Sequence, residues 1–264
     1  MNRRSGKLAA RIIKVGHLTG EQIDQMWRLF AQGYDGVNRD QFAHDLAAKQ
    51  AVFYGLDSGD GSFQGFSTFE LYEHICNGNR VKVIFCGDTM VQPDYWGQTA
   101  MHSAFARVVA LERLRQPFAP LYWFLTAMGY RTYMIMARNF PQRYWPRYDV
   151  PTPPWIQALI GSLAFERYGA AWDELGGVIR FAKPQGALAG HVAPITAEIR
   201  SIPEVDFLVR KNPEYAQGVE LACVAEITIR DLLRFAGKTF RKRLVRAAAR
   251  SVASGFAANA RPRE

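Results

Sequence analysis

Hydrophobic positions recur at two spacings along this 264-residue sequence, and each spacing predicts one type of element. A spacing of three to four residues predicts helices that begin near residues 19, 39, 99 and 203. Apolar or alternating runs predict strands at residues 11–15, 51–56, 64–72, 81–91, 121–126 and 218–227. Because the two kinds of run are interspersed, we expect a mixed α+β domain in which helices flank a sheet.

Turn signals between these runs indicate how the strands pair. The cluster of Asp, Ser and Gly at residues 57–61 and the Asn-Gly-Asn turn at 77–79 each join two strands as a hairpin. These hairpins predict a mainly antiparallel sheet. Residues 129–140 fit either a helix or a strand, 155–175 fit a helix, and residues 139–155, with five prolines, fit irregular backbone.

One stretch, residues 81–105, combines a buried strand, a tight turn and a helix that begins near Thr99. Thr99 is also a residue type that caps helices through its hydroxyl. A strand that leads directly into a helix leaves free backbone N–H groups at the helix start, and such groups can hold a phosphate. This stretch is the main chemical signal in the sequence.

The charge of the protein is concentrated at its C-terminal end. Residues 230–264 contain ten Lys or Arg against Asp231 and Glu264, so this segment carries +8 of the net +9 and leaves +1 for the rest. A nearly neutral body argues against a basic nucleic-acid-binding domain. We therefore predict a catalytic domain at 1–228 followed by a basic tail at 229–264.

The tail has the pattern of a basic amphipathic helix. Its apolar residues recur every three or four positions: Ile229, Leu233, Ala236, Phe240, Leu244, Ala248, Val252 and Phe256. Such a helix can lie on an anionic membrane surface through residues 229–256, or bind an acidic partner such as an acyl carrier protein. The alternative is that the apolar stripe packs on the protein's own body. A nucleic-acid binder that works through the basic tail is a further, less favoured alternative.

Several classes of protein are disfavoured by patterns that the sequence lacks. No apolar run is long enough to span a bilayer, and the basic start precedes no signal-peptide core, so we expect a cytoplasmic protein with an option of peripheral membrane contact. The three cysteines have no metal-binding spacing, and no cluster of His, Cys, Asp and Glu suggests a metal site. Neither GxSxG nor a P-loop is present.

The turn at residues 91–101 reads VQPDYWGQTAM. With the order of elements around it, it resembles the GNAT superfamily of acyl-transferring enzymes, over roughly residues 11–140. That family's pattern is Val-x-Pro-x-Tyr-Arg-Gly-x-Gly-x-Gly/Ala, and Val91, Pro93, Tyr95 and Gly97 agree with it. The resemblance implies a GNAT-like mixed sheet flanked by helices, and transfer of an acyl group from a thioester to a small amine or amino acid.

Three residues of the turn depart from the family pattern. Trp96 stands where the family prefers Arg or Gln, Thr99 where it prefers Gly, and Met101 where it prefers Gly or Ala. A donor held by the phosphopantetheine of a carrier protein would need less of this loop than acyl-CoA. The long-chain N-acyl amino acid synthases and acyl-homoserine-lactone synthases, which resemble this fold, use such donors. A catalytically inactive GNAT-shaped binding module is the alternative that the same departures suggest.

The resemblance also implies a set of site residues. A backbone N–H in residues 89–91 would meet the thioester carbonyl. The residues expected to contact the donor are Met90, Val91, Trp96, Gly97, Gln98, Thr99, Ala100 and Met101. Candidates for the general base are Glu70, Glu73 and Asp88, each of which could instead be an ordinary surface carboxylate. Tyr133, or else Tyr130, is the candidate acid, with a role in the core as the alternative reading.

Overall fold

The computed structural model of the protein describes residues 6–231. The helices of this part are α1 (Gly20–Gly33), α2 (Arg39–Ala47), α3 (Ala100–Arg115), α4 (Tyr130–Asn139), α5 (Pro154–Tyr168), α6 (Ala197–Arg200) and α7 (Pro203–Lys211). The strands are β1 (Leu8–Lys14), β2 (Tyr34–Asp35), β3 (Ala51–Asp57), β4 (Phe63–Cys76), β5 (Asn79–Val91), β6 (Leu121–Ala127), β7 (Tyr144–Trp145), β8 (Trp172–Asp173), β9 (Val178–Ile179), β10 (Ala187–Leu188) and β11 (Glu220–Glu226). The compact unit that they form ends at Ile227.

A nine-stranded mixed sheet forms the centre of this unit, in the order β1-β3-β4-β5-β6-β11-β9-β8, with β7 paired to β11. All of its pairs are antiparallel except β5 and β6, which are parallel and are joined through α3. A parallel pair requires a crossover connection, and α3 supplies it. β2 and β10 form a separate two-stranded sheet.

The parallel pair separates partway along its length. β5 and β6 pair from Lys82 opposite Leu121 to Cys86 opposite Leu125. Beyond this point β5 continues for five residues and pairs only with β4, while the end of β6 pairs with β11. The sheet therefore contains a gap between residues 87–91 of β5 and Thr126–Ala127 of β6.

One face of the sheet is covered by α1, α2 and α5. The first two pack on a cluster that includes Phe66 and Met90, and α5 packs on a second cluster that includes Phe85 and Phe124. Glu70 connects the two regions, because it bonds Arg167 of α5 and lies 3.9 Å from Lys49, just after α2.

The opposite face carries α3 and α4. Phe105 of α3 packs against Trp123 of β6 with ring centroids 4.8 Å apart, and Trp123 contacts Phe140 just after α4. Side chains alternate between the two faces of a strand, so Trp123 points away from the face on which its neighbour Phe124 meets α5. The two faces of the sheet thus have separate cores.

The predicted α+β class with a mainly antiparallel sheet flanked by helices is confirmed. Residues 130–139 form a helix, which settles the alternative left open by the sequence. The helix predicted at 155–175 ends earlier, at Tyr168, because Gly169 has a positive φ of 51°, which turns the backbone out of the helix. The tail predicted to form an amphipathic helix lies outside the described residues beyond Asp231.

Candidate active site

The gap between β5 and β6 exposes one backbone edge of β5. The Gln92 N–H donates to the Gln64 carbonyl at 2.8 Å, on the β4 side. Because N–H groups alternate in direction along an antiparallel strand, those of Val91 and Thr89 point away from β4 and into the gap. Two backbone N–H groups of residues 89–91, the segment expected to meet the thioester carbonyl, therefore point into the gap.

A polar cluster surrounds the gap on the face that carries α1 and α5. The Thr126 hydroxyl, at the end of β6, donates a hydrogen bond to the Glu220 carboxylate and lies 3.4 Å from the Tyr168 hydroxyl. Asp88, on the other side of the gap, is close enough for its charge to act on Glu220, Tyr168 and Tyr34. Five distant parts of the chain therefore meet at this point.

The acid–base properties of the cluster follow from its partial exclusion of water. Burial raises the pKa of Glu220 to about 7, the negative charge of Asp88 adds to the rise, and the hydrogen bond from Thr126 opposes it. Burial also raises the pKa of Asp88; Lys49 opposes that rise and Asp45 adds to it. Burial is the largest cause of the raised pKa of Tyr34 and of Tyr168. Near neutral pH Glu220 can therefore both accept and release a proton.

The turn between β5 and α3 begins at the end of the gap. Its one buried side chain, Tyr95, donates from its hydroxyl to the Asp57 carboxylate at 2.5 Å, which ties the turn to the end of β3. Gly97 adopts a positive φ of 76°, which glycine accepts without steric cost. Thr99 takes the predicted capping position of α3, but its side chain makes no capping hydrogen bond, so the first N–H groups of the helix are not capped by it.

Trp96 packs against a positively charged side chain, that of Arg131, beside this turn. Its indole N–H donates to the Val91 carbonyl at 2.8 Å, and the Arg131 guanidinium lies 4.0 Å from the centre of its ring. Arg131 is exposed and belongs to the first turn of α4. A guanidinium from α4 therefore lies beside the position at which the family pattern has an arginine.

The other residues predicted to contact the donor divide into backbone and side-chain groups. The Gln98 amide bonds the backbone of Leu8 and Gly6, so its side chain is used to hold the turn. Met101 packs beside Gly55 of β3, and Met90 lies in the core against α1. At Gln98, Met101 and Met90, the side chain is therefore used for packing or for holding the turn, and the backbone is the part that remains for the donor. Ala100 is the first residue of α3.

Glu70 does not have the surroundings of a base. Both of its oxygens accept hydrogen bonds from Arg167, at 2.9 and 3.0 Å, and Lys49 lies 3.9 Å away. A bidentate ion pair of this kind fixes both side chains. Arg167 in turn lies 3.8 Å from the centre of the Phe85 ring. Glu70 therefore supports the wall of the site.

The structure places two predicted catalytic residues away from the gap. Glu73 is opposite Lys82, near the hairpin end of β5, and Lys82 is the main cause of its lowered pKa. Six residues along a strand separate Lys82 from Asp88, or about 20 Å. Tyr133 is fully buried and donates its hydroxyl to the Pro146 carbonyl at 2.8 Å. It has the core role that was the alternative reading, and its burial raises its pKa.

Sequence reasoning did not find most of the polar cluster. Asp88 was among the candidates, but Glu220, Thr126, Tyr168 and Tyr34 were not. Glu220 begins the apolar strand β11, and alternation places it on the same face as Ala222, which lies in the α5 core. A charged residue at the start of a buried strand was the one available signal.

Two surface cavities lie elsewhere. One, of about 250 Å³, is lined by residues that include Gln25 and Tyr54, and the other, of about 270 Å³, by residues that include Phe207 and Lys211. Neither is lined by Asp88 or Glu220. Within residues 6–231, no group of His, Cys, Asp and Glu is arranged to hold a metal ion, and no helix is long and apolar enough to cross a membrane.

Comparison with known proteins finds partial likenesses among solved structures. No protein-family model matches the sequence, and no curated protein matches it. A conserved protein of unknown function from Enterococcus faecalis V583, described as a probable N-acyltransferase, is 16% identical with a TM-score of 0.38, over 53% of this chain and 37% of that one. A GCN5-related N-acetyltransferase from Kribbella flavida is 18% identical with a TM-score of 0.35, over 50% and 33%.

A third similar structure is an aminoglycoside N-acetyltransferase in complex with CoA. It is 20% identical with a TM-score of 0.32, over 44% of this chain and 76% of that chain. The present chain thus spans little more than a third of the Enterococcus structure and a third of the Kribbella structure. Likenesses at these TM-scores carry no conclusion about activity, which must come from the site itself.

Proposed function

We propose that the protein is an N-acyltransferase that moves an acyl group from a thioester donor to an amine, and that the reaction takes place at the gap between β5 and β6. The observation that carries this proposal is the position of Glu220. A carboxylate with a pKa of about 7 lies beside the gap into which the backbone N–H groups of Thr89 and Val91 point. Acyl transfer needs both groups, a base for the amine and donors for the carbonyl oxygen.

The donor is expected to bind on the side of the turn and α3. Three features support this: the uncapped start of α3, the positive φ of Gly97, and the exposed Arg131 beside Trp96. Backbone N–H groups at a helix start and a guanidinium both bind phosphate oxygens. The donor is therefore either acyl-CoA or an acyl group on the phosphopantetheine of a carrier protein.

Two of the three departures from the family pattern do not block this side. The Met101 side chain packs beside Gly55, away from the turn, and Trp96 is turned to its own strand and to Arg131. Thr99 is exposed, and its hydroxyl is not used as a cap. The inactive binding module suggested by these residues is therefore the less favoured alternative.

The proposed reaction conserves atoms and charge. Glu220 accepts a proton from the ammonium group of the acceptor, and the freed amine attacks the thioester carbonyl carbon. The oxygen takes up negative charge facing the N–H groups of Thr89 and Val91. The C–N bond forms and the C–S bond breaks; the second proton on nitrogen goes to the leaving thiolate, and the proton on Glu220 returns to solvent.

The experiment that tests this proposal is a donor screen with the purified full chain. Acyl-CoA and acyl-carrier-protein donors of several chain lengths are incubated with mixed amines, and thiol release and amide mass are measured together. Equal amounts of thiol and amide support the proposal. Thiol release without amide would indicate a hydrolase, and no turnover of any donor would favour the binding module.

A further inference from the structure

We infer that the acceptor is a primary amine that carries no carboxylate and that binds as an ammonium ion between Asp88 and Glu220. This inference rests on the proposed function and deepens it, because the sequence left open whether the acceptor was a simple amine or an amino acid. It is based on three observations: the two carboxylates, the nearby cations that already interact with Glu70, and a buried hydroxyl.

The two carboxylates interact through their charges, and neither has a cation at ion-pair distance among the described residues. Within residues 6–231, neither Asp88 nor Glu220 has an ion-pair partner within 4 Å. Burial raises the pKa of Asp88. The positive charge of Lys49, more than 4 Å away, opposes that rise, and the negative charge of Asp45 adds to it. Both carboxylates are partly buried, so this arrangement favours an occupant that supplies a positive charge.

The cations near the gap are already engaged. Both terminal nitrogens of Arg167 bond Glu70, and Lys49 lies 3.9 Å from the same carboxylate. Both cations therefore face Glu70, which leaves Asp88 and Glu220 without a cation at ion-pair distance among the described residues. An ammonium ion would supply that cation, whereas an added carboxylate would be repelled by Asp88 and Glu220.

A buried hydroxyl at the edge of the gap provides the third observation. Thr68 is fully buried, and its Oγ1 has no hydrogen-bond partner among the described residues. The hydroxyl lies 2.9 Å from the point where a Cβ on Gly87 would stand, beside Phe85 and the Lys49 side chain. Gly87 immediately precedes Asp88 and is the first residue of β5 beyond its pairing with β6. A buried polar atom without a partner indicates a missing ligand or water, and this hydroxyl can accept a hydrogen bond from an N–H donor.

Tyrosine side chains define the remaining wall. Tyr34 and Tyr168 lie near both Asp88 and Glu220. Tyr34 is stacked on Phe30 at 4.5 Å, and Tyr168 packs edge to face with Phe181 at 6.0 Å. Each of these tyrosines is therefore held beside the carboxylates by packing against a second aromatic ring.

The test uses pairs of amines that differ only in a carboxylate. Tyramine is compared with tyrosine, and cadaverine with lysine, as acceptors for the donor that the screen identifies. We expect kcat/KM to favour the carboxylate-free member of each pair by about tenfold or more, and Asp88→Asn to reduce that preference. Equal or better use of tyrosine and lysine by the wild-type protein would overturn the inference.

A binding measurement separates this inference from the proposed function. Calorimetry of tyramine and tyrosine with the full chain, in the absence of any donor, needs no catalysis. Tighter binding of tyramine that is weakened by Thr68→Val and by Asp88→Asn, but not by Glu198→Gln on the exposed surface, supports the inference even if no donor is turned over. Equal binding of the two ligands, or binding of neither, contradicts it, and thermal melts verify that each variant is folded.

Discussion

The Thr126 hydroxyl donates a hydrogen bond to the Glu220 carboxylate at the point where β5 and β6 separate. Thr126 is the first residue of β6 beyond its pairing with β5, and Glu220 begins β11 on the same face. The bond holds the carboxylate beside the gap, where burial raises its pKa to about 7. The consequences for stability, binding and catalysis can be measured separately.

Stability should respond to pH through Glu220. Its pKa rises from an ordinary value of 4.5 to about 7 in the folded protein, so the charged form is disfavoured there. The cost appears as the pH rises above 4.5 and is complete above 7, at most about 3 kcal/mol. Glu220→Gln should therefore be more stable than the wild type near pH 8. That difference should vanish toward pH 4, as measured by urea unfolding.

Two outcomes would count against this prediction. If Glu220→Gln is less stable than the wild type near pH 8, the carboxylate contributes more as an ionised partner than its burial costs. A difference that does not change with pH would mean that the pKa of Glu220 is not raised by folding. Glu198→Gln, at an exposed carboxylate, serves as the control.

Gly87 should be required for acceptor binding. A Cβ there would lie 2.9 Å from Thr68 Oγ1, 3.1 Å from Lys49 Cε and 3.2 Å from Phe85 Cε1. Gly87→Ala should raise the acceptor KM about tenfold, since the methyl group fills the space beside the buried hydroxyl. Gly16→Ala is the matched control, because no atom lies within 4 Å of its added Cβ. An unchanged acceptor KM in Gly87→Ala would place the acceptor elsewhere.

The left-handed conformation of Gly97 predicts a graded effect of substitution. With φ at 76°, alanine should cost about 1 kcal/mol of stability, and asparagine, which tolerates this conformation better, should cost less. We also expect Gly97→Ala to weaken donor binding by disturbing the backbone of the turn. Thermal unfolding and calorimetry with the donor measure the two effects. Equal stability of the alanine and wild-type proteins would show that the turn relaxes without strain.

Most of the local structure could be predicted from sequence, because its determinants are close together in the chain. Thr19 and Gln22 form the capping box at the start of α1, and the hairpin between β4 and β5 turns at Asn77 and Gly78, both with positive φ. The strand, turn and helix around Gly97 were predicted for the same reason.

The site depends instead on contacts between distant residues. The sequence offers Glu70 as a candidate base, but it does not show that Arg167, 97 positions later, bonds both of its oxygens. Tyr133 is buried because its ring packs against Phe207 of α7 and Tyr144 of β7, both far from it in the sequence. Glu220 meets Thr126 from 94 positions away. Local patterns contain no information about such pairs.

Arg131 should contribute to donor binding and not to acceptor binding. Its guanidinium lies over Trp96, beside the turn that leads into α3. Arg131→Gln should raise the donor KM about three- to tenfold, because it removes a charge-assisted contact to phosphate, and leave the acceptor KM unchanged. Arg138→Gln, at an exposed arginine on the same helix, is the control. Equal effects of the two substitutions would assign the change to general electrostatics.

The central claim, that Glu220 accepts the proton of the amine, is tested most directly by the ratio of wild-type to Glu220→Gln kcat/KM across pH. The ratio cancels the titration of the amine itself. We predict a constant ratio of about 10² to 10³ above pH 7, which falls about tenfold per pH unit below it as Glu220 becomes protonated. Asp88, Tyr34 and Tyr168 face the same carboxylate, so the measured inflection reports the cluster. A ratio near one at every pH would contradict the claim.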